Sequence, residues 1–188
     1  MQLQTPRLLL REFKEDDWHF TNLYEASQEV MRYQTRDVRD AQESQQHVLQ
    51  CMQESQEDPR TIYDLAIVIK QTDMLIGRVG MKVDYDAEDA ALWYLLNHKY
   101  WNKGYVTEAA QAMMNFGFTE LHLHRIWADC DPRNTGSYRV MEKLGMRKEA
   151  HFIENIFIKG EWCDSFVYAL LHREWQLANA SLADRDFE

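Results

Sequence analysis

Alternation and helical periodicity divide this chain into short elements before any chemistry is considered. LLLREF (8–13) reads as a strand, and KEDDWHFTNLYEAS after it opens on acids and then spaces Trp18, Leu23 and Ala26 as a helix does. Residues 41–56 are rich in Gln and Glu, with Val48, Leu49 and Met52 on one side, the pattern of an exposed amphipathic helix. The middle turns β-rich. TIYDLAIVIK (61–70) and MLIGRVGMKV (74–83) flank the hairpin turn QTD, and ALWYLL (91–96) makes a third strand after the acidic loop DYDAED. A long helix starts at Gly104 and puts Val106, Ala109, Ala110, Met113, Phe116 and Gly117 on one face. RIWADC (125–130) is a strand again. A short helix capped by Asn134 follows, with Ser137, Val140, Met141 and Leu144 inward and Gly145 as its stop. HFIENIFIKG and EWCDSFVYALL read as paired strands turning around 159–161, and 179–188 as a frayed tail. With no repeat and no linker, the order predicts one α/β domain over 1–178 with a mixed sheet.

Composition removes several function classes. The chain has 188 residues, with 31 acids against 21 Lys and Arg, a formal charge of -10. That argues against nucleic acid as the main partner, because phosphate backbones need clustered cations. It fits a cationic substrate loosely. Cys51, Cys130 and Cys163 are odd in number and far apart in sequence, which matches neither a disulfide framework nor a zinc spacing. Buried free thiols in a reducing compartment are expected. No run of about 18 apolar residues exists, so no membrane span is expected, and MQLQTPRLLLREF is no signal peptide. The expected location is cytoplasmic. His122 and His124 form an H-x-H pair without further ligands in register, so no metal is expected. A G-x-S-x-G elbow is absent, which leaves a hydrolase triad unsupported.

One stretch stands out, KYWNKGYVTEAAQAMMNFGF (99–118). The turn before its helix carries Gly104, Lys103 and two aromatics, and no acid until Glu108. A helix start presents unpaired N–H groups and partial positive charge, and anions bind there. The turn has neither G-x-x-x-x-G-K-[ST] nor G-x-G-x-x-G, so it is no Walker loop and no dinucleotide fingerprint.

YWNKGYVTEA, followed about thirty residues later by DPRNTGSYRVMEKLGM, resembles the GNAT acyltransferase superfamily. The opening TPRLLLREFKEDD and the closing IKGEWCDSFVYALLHREW resemble its branch of ribosomal-protein N-acetyltransferases, the RimJ/RimL type, so the likeness runs from about 4 to 175. The resemblance implies a single GNAT-like domain with helices flanking a mixed, mostly antiparallel sheet that splays at the cofactor site. It also implies acetyl-CoA as co-substrate. The family pattern Q/R-x-x-G-x-G/A falls on Trp101, Gly104 and Val106, of which only the central glycine is kept. Backbone amides along Trp101, Asn102, Lys103, Gly104, Tyr105, Val106 and Thr107 would hold the pyrophosphate. The pantetheine arm would lie in the split and pair near Leu95 and Leu96. Asn134 matches the asparagine that contacts this arm, and it is a good helix cap in its own right.

Acetyl transfer by direct attack in a ternary complex needs a neutral amine, donors for the oxyanion and a proton for the departing thiolate. The tyrosine that many relatives carry seven residues after the asparagine is here Met141. Ser137 stands where the RimJ/RimL branch often assigns the acid, with Tyr138 as a neighbour about 100° round the helix. The glutamate that relatives place at the strand start is here Ala91. Glu88 and Asp89 just upstream, Glu154 on a late strand, Asp84 and Asp86 in a loop, or a chain of waters are the candidate bases. Loops 31–40 and 84–89 would shape the acceptor cleft. The acceptor amine, whether a protein N-terminus, an amino sugar, a polyamine or an antibiotic, is left open, as is the oligomeric state. A non-catalytic acyl-CoA-binding protein of the same fold and a protein-interaction module docking through 41–56 are the competing readings.

Overall fold

The computed structural model describes residues 1–183. Eight strands form one sheet in the order β1-β2-β3-β4-β5-β6-β8-β7. They are β1 (Gln2–Gln4), β2 (Leu8–Arg11), β3 (Ile62–Ile69), β4 (Met74–Asp84), β5 (Asp89–Leu96), β6 (Arg125–Cys130), β7 (Arg147–Ile158) and β8 (Glu161–Leu171). Every neighbouring pair is antiparallel except β5 and β6. That one parallel pair needs a crossover, and α4 (Tyr105–Thr119) supplies it. The remaining helices are α1 (Trp18–Glu25), α2 (Gln28–Met31), α3 (Ala41–Glu54), α5 (Thr135–Lys143) and α6 (His172–Ala183).

The architecture is the mixed, mostly antiparallel sheet flanked by helices that the motif order implies. Differences from the sequence reading are local. β5 begins at Asp89 rather than at 91, and β7 at Arg147 rather than at 151. β1, α2 and α6 are not legible in the sequence pattern; α6 carries the chain through Ala183 where a frayed tail from 179 is expected, and 184–188 lie outside the described residues. On α1 the buried residues are Thr21, Tyr24 and Glu25, while Leu23 is 66% exposed. α3 buries Ser44, Val48 and Cys51 and leaves Leu49 exposed. In both helices, polar residues that pair inside displace a leucine from the inward stripe.

The sheet is covered on both faces. α4 and α5 lay Ala109, Ala110, Met113, Met114, Phe118 and Met141 on one side, against Leu65, Ile67, Val79, Met81 and Ile126. Tyr24, Val48 and Cys51 from α1 and α3 cover Ala66, Val68, Leu75 and Leu95 on the other. The second face also carries a buried charge network. Glu25 accepts from Arg39 at 2.7 Å, and Asp64 from Arg78 at 2.6 Å. His47 lies among these groups, and desolvation together with the charges of Arg78 and Arg39 lowers its pKa to about 2, so it is neutral. His47, Cys51 and Asp64 bring their donor atoms within 4.8 Å of one another. The Arg78 guanidinium already sits on Asp64 and 3.4 Å from His47 Nε2, so the negative charge a metal ion would need is taken. All three cysteines are free and buried, as expected.

Candidate active site

β5 pairs with β4 along its whole length, from Asp84↔Asp89 to Gly77↔Leu96. β6 pairs with β5 only at Asp89, Ala90 and Ala91, after which the two strands part. One edge of β5 is therefore open over residues 92–96. Successive residues of a strand turn their backbone groups to alternate sides. Asn97 N–H goes to Ile76 O on β4, and Leu96 O accepts instead from Trp101 Nε1 at 2.8 Å. It is therefore Leu92, Tyr94 and Leu96 that face the gap, while the backbone of Leu95 is used within the sheet. The expected pair, Leu95 and Leu96, thus divides, and only Leu96 belongs to the open edge.

The open edge leads to the start of α4. Gly104 is its N-cap at φ 76°, with no side-chain cap, whereas α3 opens on a full capping box from Asp40 and Glu43. Asn102, at φ 59°, gives the turn a second left-handed residue. The first amides of α4, at Tyr105, Val106 and Thr107, thus meet no protein acceptor from a cap. Lys103 turns aside: its ammonium donates to Lys99 O at 3.0 Å and lies over the Tyr100 ring. Glu108, the first acid after the turn, is engaged by Thr5 and Arg7. Burial acts to raise its pKa, but those bonds outweigh it and hold the carboxyl below its usual range.

Between β5, β6, α5 and the β7–β8 hairpin lies a cavity of about 180 Å³. Asn134, Ser137 and Met141 line its α5 side. Asn134 caps α5, accepting from Ser137 N–H at 3.2 Å. Tyr94, from the open edge of β5, brings its hydroxyl to 3.1 Å from Ser137 Oγ and donates to Ser137 O at 3.0 Å. The phenol absent at position 141 of the helix is therefore present in the site from a strand. Burial pushes the Tyr94 hydroxyl far above the ordinary range and the adjacent Cys130 thiol up to about 11, so both stay protonated.

Three carboxyls line the opposite side of this cavity, Asp129, Asp131 and Asp164, beside Tyr33, Gln34 and Thr35 from the loop after α2. Their environments diverge. Burial would raise Asp131, but Arg133, at 2.6 Å from Oδ2 and with its backbone N–H at 2.8 Å from Oδ1, outweighs it. The backbone N–H of Glu154 at 2.9 Å, then His151 at 2.8 Å, hold Asp164 low. Asp129 has no such partner among the described residues. It is open to the cavity, yet the protein round its carboxyl displaces enough water to raise its pKa above 3.8.

The other expected bases are elsewhere. Glu88 occupies the β4–β5 turn at φ 52°, where its carbonyl accepts from His124 and Arg125 at the closed end of the β5–β6 pair. Asp84 and Asp86 share that turn; Asp89 pairs with Arg125 at 3.3 Å. Glu154 is exposed in the irregular stretch of β7, at φ 46°, and only its N–H reaches a residue of the cavity wall. Tyr138 points away from Ser137 and packs on Phe166 with ring centroids 5.9 Å apart. Of the two loops expected at the cleft, 33–35 lines the cavity and 84–89 does not. Asp129, Asp131, Asp164 and Tyr94 all escape the sequence reading. Asp129 has a readable signal: in RIWADC it alternates with the buried Ile126, Ala128 and Cys130 and so leaves the core face. Tyr94 has none, since only the parting of the strands exposes its hydroxyl to Ser137.

The family description "Acetyltransferase (GNAT) domain" matches residues 7–147. YnaD of Bacillus subtilis, named as an uncharacterized N-acetyltransferase, is 36% identical over 175 residues, covering 93% of this chain and 99% of its own. A GNAT-family acetyltransferase structure from Bacillus anthracis superposes with a TM-score of 0.84 at 34% identity, covering 93% of this chain and all of that one. At 20% identity the fold is also that of spermidine N-acetyltransferase from Vibrio cholerae in complex with CoA and spermine, with a TM-score of 0.79 over 92% of this chain and 99% of that one. No helix among the described residues is long and apolar enough to cross a membrane.

Proposed function

This chain belongs to the GNAT family of N-acetyltransferases, and on that premise we propose that it moves acetyl from acetyl-CoA to a cationic primary amine by direct attack in a ternary complex. The observation that carries the reading is the parting of β5 and β6, which joins an uncapped helix start to a cavity with opposed chemistry on its two sides. The amides of 104–107 and the residues from Trp101 onward hold the diphosphate. The Leu96 N–H and the free backbone of Tyr94, with the Asn134 side chain, guide the pantetheine arm toward Ser137. The amine enters from the side of Tyr33 and Asp164. A spermine-bound relative of the same fold is consistent with such an acceptor.

Roles follow from the divergent carboxyls, since titratable groups pushed apart by their surroundings mark acid–base assignments. Asp131 and Asp164 stay ionised and attract an ammonium. Asp129, with its raised pKa and no committed partner, takes the proton that the amine must lose before it attacks. The edge amide of Tyr94, beyond the last bridge between β5 and β6, stands where an oxyanion could be met by an N–H donor. The hydroxyl of Ser137, beside Tyr94, keeps its proton and donates a hydrogen bond that stabilises the departing thiolate. Asp129 and the Tyr94–Ser137 pair favour turnover over a non-catalytic acyl-CoA-binding protein of the same fold. Three buried free thiols support a reducing, cytoplasmic setting.

Ser137→Ala should lower kcat about 10- to 100-fold while leaving the KM for acetyl-CoA within about threefold, because the hydroxyl meets sulfur only as the thiolate forms. Thiol release from acetyl-CoA, screened first with polyamines and then with peptide N-termini, is the assay. Unchanged kcat in the variant would remove Ser137 from the chemistry.

A further inference from the structure

A cation beside a helix start strengthens its hold on a diphosphate. Lys103, the cation that the sequence puts in the turn, spends its ammonium on Lys99 O and the Tyr100 ring. Another cation reaches the same place from the far end of the chain. Arg7, just before β2, donates through Nη1 to Lys103 O at 2.9 Å and through Nε to Glu108 Oε2 at 2.6 Å. Its guanidinium lies 4.6 Å over the Tyr105 ring. A methyl group built on Gly104 would lie 3.3 Å from Arg7 Nη2, so that nitrogen borders the space that a side chain there would take. Nη2 makes no hydrogen bond among the described residues, and the side chain is 47% exposed.

We infer that Arg7 is a phosphate ligand of the co-substrate, its Nη2 donors closing over the diphosphate that the amides of 104–107 hold from below. The inference rests on the acetyl-CoA reading of that turn. Arg7 is fixed at every other point. Glu108 binds both its backbone N–H and its Nε, Thr5 completes the carboxylate at 2.5 Å, and Lys103 O orients Nη1. Tyr105 supports the plane from below. The remaining N–H groups are preorganised and solvated, facing the one position where glycine leaves room for an anion. Glu108 thus serves as an anchor for this arginine, which also accounts for how an acid is tolerated in the first turn of a phosphate-binding helix.

The test is titration of CoA into wild type, Arg7→Gln, Arg7→Lys and Glu108→Gln at two ionic strengths, with thermal melts to establish folding. Arg7→Gln should weaken CoA about tenfold or more, and its affinity should depend less on salt, because one cation has left the contact. Arg7→Lys should recover part of the loss, as a point charge without the fork. Glu108→Gln loosens the anchor but leaves the cation, so it should weaken CoA less than Arg7→Gln does and keep the salt dependence of wild type. Equal weakening by Arg7→Gln and Glu108→Gln, with the salt dependence of wild type, would reduce Arg7 to a clamp on the turn and overturn the inference. No CoA binding by wild type at any salt would overturn the cofactor site itself and Arg7 with it.

Discussion

Asp129→Asn is expected to lower kcat at pH 7 about 10²- to 10⁴-fold, the usual contribution of a positioned base, with little change in the KM for acetyl-CoA. The amide has the shape of the carboxylate and cannot accept the proton. The pH profile carries the sharper signature. The base works only when ionised, and desolvation raises the pKa of Asp129 above 3.8. Wild-type kcat should therefore fall on the acid side at a pH above the ordinary aspartate range. In the variant that limb should vanish, and its residual rate should climb as the amine loses its own proton, near pH 7.7–8.0 for an α-amine and higher for an alkyl amine. A kcat within a few-fold of wild type, with the acid limb intact, would place the base elsewhere, in another carboxyl or in water.

Gly104→Val should be the most damaging single change at the co-substrate end. At φ 76° a β-branched residue is strained, and the new side chain would meet Arg7 Nη2 at 3.3 Å and occupy the space above the turn. Losing two or more charge-assisted bonds to phosphate costs enough to raise the KM for acetyl-CoA about 10²-fold or more. The turn is exposed, so the melting temperature should move by only a few degrees. Unaltered KM in a folded variant would mean that the phosphates bind somewhere else.

How far the sequence leads toward this site depends on the range of the interaction. Local signals carry the turn at Gly104, the cap at Asn134 and the stop at Gly145, since each is written within a few residues. The family motifs carry the splay of the sheet, which no local pattern could supply. Long-range pairings escape. Arg7 meets Glu108 across the whole first half of the chain, and Tyr94 meets Ser137 only because β6 leaves β5 after Ala91. The choice of base shows the same limit. Glu88 and Glu154 are the acids that the motifs favour, but backbone turns at positive φ hold them outside the cavity, while the unremarked Asp129 lines it. Periodicity alone turns Leu23 and Leu49 inward, and the charge network around Glu25 and Arg39 takes the interior instead.

The measurement that bears most directly on the whole account is acetyl-CoA titrated into the wild-type protein by calorimetry, followed in the same sample by thiol release on adding a polyamine. The account predicts binding in the micromolar range and acetyl-CoA-dependent product from a cationic amine. Binding without product from any amine would contradict the catalytic reading of Asp129 and Ser137, and absence of binding would contradict the site as a whole.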